Sequence, residues 1–171
     1  MTARILLVGM MGAGKTTVGR LVAATLGWDY LDSDVEVQQA TGMTVPEIFS
    51  TRGEAAFRAA ETDALRLACA SDRPVVVSVA GGAVLRPENR LLMQASGVVV
   101  WLRARLETLV ARVGDGQGRP LLEGDPRATL ESLSLVRDPL YAEVADDTVD
   151  VDDLGAEQVA SRVVELVAGR A

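Results

Sequence analysis

The chain has 171 residues, 49% of them hydrophobic and 24% charged, with a net charge of −7 and a pI of about 4.6. That length and composition predict one globular domain with a substantial core, and the acidic balance argues against a broad nucleic-acid footprint. Histidine is absent and Cys69 is the single cysteine, which excludes His-dependent triads, His-ligated metals and an intramolecular disulfide and leaves carboxylates as the general bases to look for. No apolar run reaches membrane-spanning length and the Met1 end carries no signal-peptide pattern, so a cytoplasmic protein without a membrane partner is expected.

In chain order, residues 4 to 8 read as a buried strand and lead into Gly9 to Thr16, GMMGAGKT. This fits the phosphate-cradling pattern G-x-x-x-x-G-K-[ST] in its required setting, strand before and helix after. Gly9, Gly12 and Gly14 free the backbone to turn successive N–H groups inward, Lys15 adds a mobile charge for the β/γ oxygens and Thr16 a hydroxyl for Mg²⁺. Sixteen of the 17 basic residues are Arg and the only Lys is Lys15. A chain that otherwise uses Arg keeps a compact ammonium here, which points to a specific need for one.

Lys15 to Leu26 is then a helix closed by Gly27, and Trp28 to Leu31 a short strand ending at Asp32-Ser33-Asp34. Asp34 to Ala40 and Val45 to Phe49 read as two short helices, followed by a longer one near Glu54 to Ala70. Pro74 to Val79 is a β-branched run of the kind buried in parallel sheets. Glu88 to Ala95 is helical, Val98 to Leu102 a fourth strand and Leu106 to Val113 a helix. Gly114 to Asp125 holds four glycines and one proline, a composition suited to a lid. Helix over 126 to 145, a fifth strand at Thr148 to Val151 and a helix at Gly155 to Val167 complete the chain. Such alternation predicts a three-layer α/β/α fold around a five-stranded parallel sheet.

Several charged residues stand out against this frame. If the chain is still extended where it leaves the second strand, Asp32 and Asp34 face one locus beside the phosphate loop, where they suit a magnesium shell plus a base or hydroxyl anchor; the alternative is a pair of helix caps. The run ending at Val79 carries no acid at the position where P-loop proteins most often place one, so Asp32 is left for the metal. Helical spacing puts Glu61 inside the apolar stripe Phe57, Ala60, Ala64, Ala68, with Arg58 at its edge. This is either a structural ion pair or a device that holds a guanidinium for a substrate carboxylate. Arg137 falls inside the stripe Leu130, Leu133, Leu140, Tyr141, Val144, which suggests an external anion unless Pro139 breaks the helix. Arg119, flanked by glycines, is either a cation that swings onto the transferring phosphoryl group or a surface residue of a mobile loop.

Taken together, GMMGAGKTT at 9 to 17, LDSD at 31 to 34, FR with Glu61 at 57 to 61, GG at 81 to 82, GRPLL at 118 to 122 and RDPLY at 137 to 141 resemble the shikimate kinase family over nearly the whole chain. The resemblance implies one P-loop kinase domain over 1–171 of nucleoside-monophosphate-kinase type, with substrate-binding helices at about 34–60 and a lid at about 113–125. It implies transfer of the ATP γ-phosphoryl to the 3-hydroxyl of shikimate with Mg²⁺, in aromatic amino acid biosynthesis, by a cytoplasmic protein expected to be a monomer. By the same resemblance Gly12, Ala13, Gly14, Lys15, Thr16 and Thr17 would hold ATP, with Thr16 and Asp32 serving the metal. Asp34 would bind the hydroxyls and act as base, Arg58 and Arg137 would clasp the carboxylate, and Gly81 and Gly82 would approach the ring. Phe49 and Phe57 would line the pocket, Arg119 would be the lid arginine and Arg112 would stack on adenine.

Two stretches depart from the family pattern. Its three-glycine turn reads Ala80-Gly81-Gly82, where a positive φ at Ala80 would cost about 1 kcal/mol or more. The adenine-side loop reads VDVDDLG at 149 to 155, without the family's proline, and Leu154 is the nearest substitute. The alternatives are a kinase of another hydroxy acid or cyclitol, and a nucleotide-binding regulator without turnover.

Overall fold

The computed structural model describes residues 3–114, 122 and 124–170; Arg119 and most of the expected lid lie outside them. Five strands, β1 (Arg4–Val8), β2 (Asp29–Asp32), β3 (Val75–Ser78), β4 (Val98–Arg103) and β5 (Asp147–Asp150), form one sheet in the order β2-β3-β1-β4-β5. Every pairing is parallel, with Leu6 set between Val77 of β3 and Val99 of β4. Ile5 to Val8, Val75 to Val77 and Val99 to Leu102 are nearly all fully buried. These runs are apolar without alternation because helices cover both faces of the sheet.

The helices are α1 (Lys15–Leu26), α2 (Ser33–Thr41), α3 (Val45–Cys69), α4 (Pro87–Ser96), α5 (Leu106–Val113), α6 (Pro126–Val144) and α7 (Ala156–Ala168). A short 3₁₀ turn, Ala83–Leu85, was not foreseen from the sequence. The strand and helix bounds otherwise differ from expectation by a residue or two, β5 beginning at Asp147 and α2 at Ser33. The two helices expected around 45–49 and 54–70 run together as α3, but Gly53 between them has φ 83° and ψ 172°, which no helix residue adopts. Only glycine takes that backbone cheaply, and its position lets the chain redirect without unpairing either half. Thr44 starts α3 with a capping box, exchanging hydrogen bonds with Glu47.

Pro139 does not break α6, which is continuous from Pro126 to Val144. The stripe read from the sequence therefore holds: Leu130, Tyr141 and Val144 are buried, and Arg137 with them. A second, smaller apolar cluster of Val37, Ile48, Phe57 and Ala64, backed by Phe49, lies apart from the main core. It fastens α2 and α3 to each other. Among the described residues no helix is long and apolar enough to cross a membrane.

Candidate active site

The phosphate loop begins where β1 ends. Gly9, Gly12 and Gly14 have φ of 147°, 84° and 97°, and a Cβ on Gly9 would lie 2.6 Å from the carbonyl oxygen of Leu102. The loop thus needs glycine for both conformation and room. Gly14 is the N-cap of α1 and no side chain occupies the cap, so the first N–H groups of α1 face outward with the positive end of its dipole. Lys15 Nζ donates to the carbonyls of Gly9 at 2.7 Å and Met10 at 3.1 Å. Arg112 Nη1 donates from the other side to the carbonyls of Gly12 at 3.2 Å and Ala13 at 3.3 Å. Arg112 thereby braces the loop, a role the sequence did not suggest.

Thr16 Oγ1 donates to Asp32 Oδ2 at 2.9 Å, bringing two oxygen donors to one corner. Asp32 also caps α2, accepting from the Asp34 N–H at 3.0 Å through Oδ1. Of the two readings open at this point, the structure takes the helix cap: β2 ends at Asp32 and Asp34 lies in the first turn of α2. The cap wins because the Asp32 carboxylate satisfies an otherwise unpaired helix N–H. Both carboxylates nonetheless line the same cavity. At the end of β3, where an acid was absent from the sequence, Ser78 Oγ donates to the Lys15 carbonyl at 2.8 Å.

The opposite wall is built from α3, α6 and the Ala80-Gly81-Gly82 turn. Arg58, 9% exposed, gives Nη1 to Glu61 Oε2 at 2.7 Å and Nη2 to Glu54 Oε1 at 3.3 Å. Burial holds the Glu61 carboxyl above its usual range, outweighing the attraction of Arg58, and the charge of Asp34 adds to the rise. Arg137 is 2% exposed. Among the described residues neither Arg58 Nε nor Arg137 Nε has a hydrogen-bond acceptor. Buried guanidinium donors without partners cost free energy unless something else supplies the acceptor.

Tyr141, fully buried, donates its hydroxyl to the Gly81 carbonyl at 2.6 Å, and the Arg137 charge lies close to it. Burial pushes the phenol well above its ordinary pKa, so it remains a donor. Ala80 has no positive φ, and its N–H donates to Ser33 Oγ at 2.8 Å. The strain foreseen for a methyl at this position is absent. Phe49 and Phe57 pack with ring centroids 4.9 Å apart.

These walls enclose a cavity of about 550 Å³, lined by Gly12, Gly14, Lys15, Thr16, Thr17, Asp32, Asp34, Phe49, Phe57, Arg58, Gly81, Gly82 and Arg137. Ala13 is buried beneath the loop rather than lining the cavity, Arg112 stands behind it, and Arg119 lies outside the described residues. Ser33, Ser78 and Tyr141 join the site through contacts that sequence spacing does not reveal. Tyr141 alone carried a signal, its membership of the stripe that contains Arg137.

A parallel five-stranded sheet, a glycine loop leading into α1 and a cavity at the strand ends define a P-loop kinase of the α/β type. A family model described as shikimate kinase matches residues 11–168. The shikimate kinase of Halorhodospira halophila is 46% identical over 169 residues, covering 98% of this chain and 95% of its own length. That of Thioalkalivibrio sulfidiphilus is 45% identical over 152 residues, covering 88% and 80%. Among solved structures, the Acinetobacter baumannii shikimate kinase in complex with shikimate superposes with a TM-score of 0.95 at 38% identity, covering 99% of this chain and 95% of that one. The Aquifex aeolicus shikimate kinase gives 0.85 at 32% identity, covering 98% and 97%. The chain belongs to the shikimate kinase family.

Proposed function

We propose that this chain transfers the γ-phosphoryl group of ATP to the 3-hydroxyl of shikimate, yielding shikimate 3-phosphate and ADP. The observation that carries the reading is the pair of buried arginines, Arg58 and Arg137, that line the cavity on the wall facing the phosphate loop. A compact carboxylate would accept from these guanidiniums, and charge-assisted donors of fixed geometry favour it over a neutral cyclitol. Glu61 holds Arg58 in place, and Tyr141 is packed close to Arg137.

In this reading the N–H groups of Gly12 to Thr17 and Lys15 Nζ hold the ATP phosphates. Lys15 exchanges its loop carbonyls for phosphate oxygens. Asp34, beside the acid-binding wall, takes or orients the proton of the attacking hydroxyl. Arg119, outside the described residues, is assigned to the lid, where it would meet charge on the transferring group. Arg112 is assigned to the adenine side while bracing the loop.

The donors at the Thr16 corner, a hydroxyl and the Asp32 carboxylate, are hard oxygens and fit magnesium, which prefers few protein ligands together with phosphates and water. Bound there, Mg²⁺ would neutralise phosphate charge. A cytoplasmic monomer acting on small molecules is the accompanying reading.

The test is ADP release with Mg-ATP and purified protein, comparing shikimate with quinate, gluconate, uncharged cyclitols and a nucleoside monophosphate. Turnover with shikimate alone is the expected result. Turnover with another compound would keep the kinase mechanism and overturn the substrate assignment, and nucleotide binding with silence across the panel would support a regulator instead.

A further inference from the structure

The corner that joins Thr16 to Asp32 has a third member, which the proposed reaction leaves without a role. Tyr30 lies two residues before Asp32 in β2, and alternation along the strand places both on one face. Its hydroxyl is 3.2 Å from Asp32 Oδ2 and 3.0 Å from Ser78 Oγ. Register sets Ser78 directly opposite Asp32, and Ser78 gives its single proton to the Lys15 carbonyl. Thr16 gives its own to Asp32. The Tyr30 proton therefore has Asp32 Oδ2 and Ser78 Oγ as its acceptors, and the charged oxygen is the stronger one.

The ring is held as deliberately as the hydroxyl. Gly19 of α1 makes room for it, since a Cβ there would lie 2.7 Å from Tyr30 Cε2 and 2.9 Å from Ser78 Oγ. Gly19 sits inside a helix, where glycine is unfavourable, without a positive φ to require it. Space for the phenol and for Ser78 is what it provides. Arg20 covers the ring, its guanidinium carbon 5.6 Å from the centroid.

We infer that Tyr30 is a positioning residue that fixes the Asp32 carboxylate toward the metal corner and, with Ser78, ties that carboxylate to the peptide carrying Lys15 and Thr16. The inference rests on the reading that Thr16 and Asp32 serve Mg²⁺. β3 carries no acid at its end, so the metal-serving carboxylate comes from the neighbouring strand, one strand further from β1. A rigid tyrosine-serine bracket compensates for that displacement by linking β2 and β3 to the loop.

The experiment is calorimetric titration of ADP into the wild type, Tyr30→Phe, Asp32→Asn and the double variant, each with Mg²⁺ and with chelator, beside thermal unfolding. Phenylalanine keeps the ring on Gly19 and removes only the hydroxyl. The expected result is that the factor by which Mg²⁺ strengthens ADP binding falls about tenfold in Tyr30→Phe. ADP affinity in chelator should stay unchanged, and Tyr30→Phe should add nothing in the Asp32→Asn background. An unchanged factor, an equal loss with and without Mg²⁺, or a further loss in the double variant would overturn the inference. A wild type whose ADP affinity ignores Mg²⁺ would overturn the metal reading of Thr16 and Asp32, and the inference with it.

Discussion

Gly82 lies against the guanidinium of Arg58 so closely that a Cβ on it would stand 2.7 Å from Nη2, 2.5 Å from Cζ and nearer still to Nη1. Gly82 has φ −87°, which any residue adopts, so the glycine is kept for space. Arg58 cannot retreat freely because Glu61 holds Nη1 at 2.7 Å on a buried face. Gly82→Ala should therefore push the guanidinium off its carboxylate partner while leaving the phosphate loop alone. Losing a charge-assisted contact of about 1.5–3 kcal/mol predicts a KM for shikimate roughly 10- to 100-fold higher. The KM for ATP should change by less than about twofold, and initial-rate kinetics in both substrates check this. An equal rise in both would show that the turn supports the whole site rather than Arg58.

Glu61 gives a pH prediction whose sign follows from its burial. Its carboxyl is held above the ordinary value of 4.5, so just above that pH the folded chain keeps a proton that the unfolded chain has released. Linkage then makes this group's contribution to stability fully present below 4.5 and lost as pH rises through the folded pKa. Glu61→Gln, which has no proton to lose, should flatten the decline of Tm measured from about pH 4 to pH 7. It should also raise the KM for shikimate, because Arg58 loses its anchor. An unchanged pH slope would remove Glu61 as the source.

Much of the fold and the site was legible because single elements announced it. The unbroken β-branched run at Val75 to Val77 can only be buried on both faces, and the GMMGAGKT loop carries its own strand and helix context. Glu61 and Arg137 betrayed themselves by sitting in apolar stripes and Arg58 by standing at the edge of one, and all three are buried. The contacts between elements were another matter. Ser78 and Lys15 lie 63 residues apart, Tyr141 and Gly81 60 apart, and no periodicity links them. The sequence also could not decide between cap and continued strand at Asp32, since the choice depends on where the carboxylate finds donors. Whether Arg112 would brace the phosphate loop was equally beyond spacing, because both of its acceptors are backbone carbonyls about 100 residues earlier.

Asp34 separates chemistry from binding. It stands in the first turn of α2, lines the cavity with Arg58 and Arg137, and its charge reaches Glu61. Asparagine keeps its shape and removes the proton acceptor. A general base is worth about 10²- to 10⁴-fold, so Asp34→Asn should lower kcat by that order. The Kd for ADP, measured by calorimetry, should remain within about twofold, since the phosphate loop is untouched. A large loss of nucleotide affinity with kcat retained would make Asp34 a structural support of the α2 start.

Ala80 tests whether the departure from three glycines matters. Its backbone has no positive φ, its N–H is committed to Ser33 Oγ at 2.8 Å, and the residue is only 7% exposed. None of these needs glycine, so Ala80→Gly gains no relief from strain and only frees the unfolded chain, at a cost of about 0.5–1 kcal/mol. Thermal unfolding should show Tm lower by about 1–4 °C, as expected for a domain of this size. The kcat/KM for shikimate should change by less than about threefold, because the proposed reading puts the donors for the carboxylate on Arg58 and Arg137 rather than on this turn. A gain of tenfold or more for quinate or an uncharged cyclitol would reverse that argument. The Ala80 methyl would then be what narrows the pocket, and substrate choice would lie in the turn instead of in the two buried arginines.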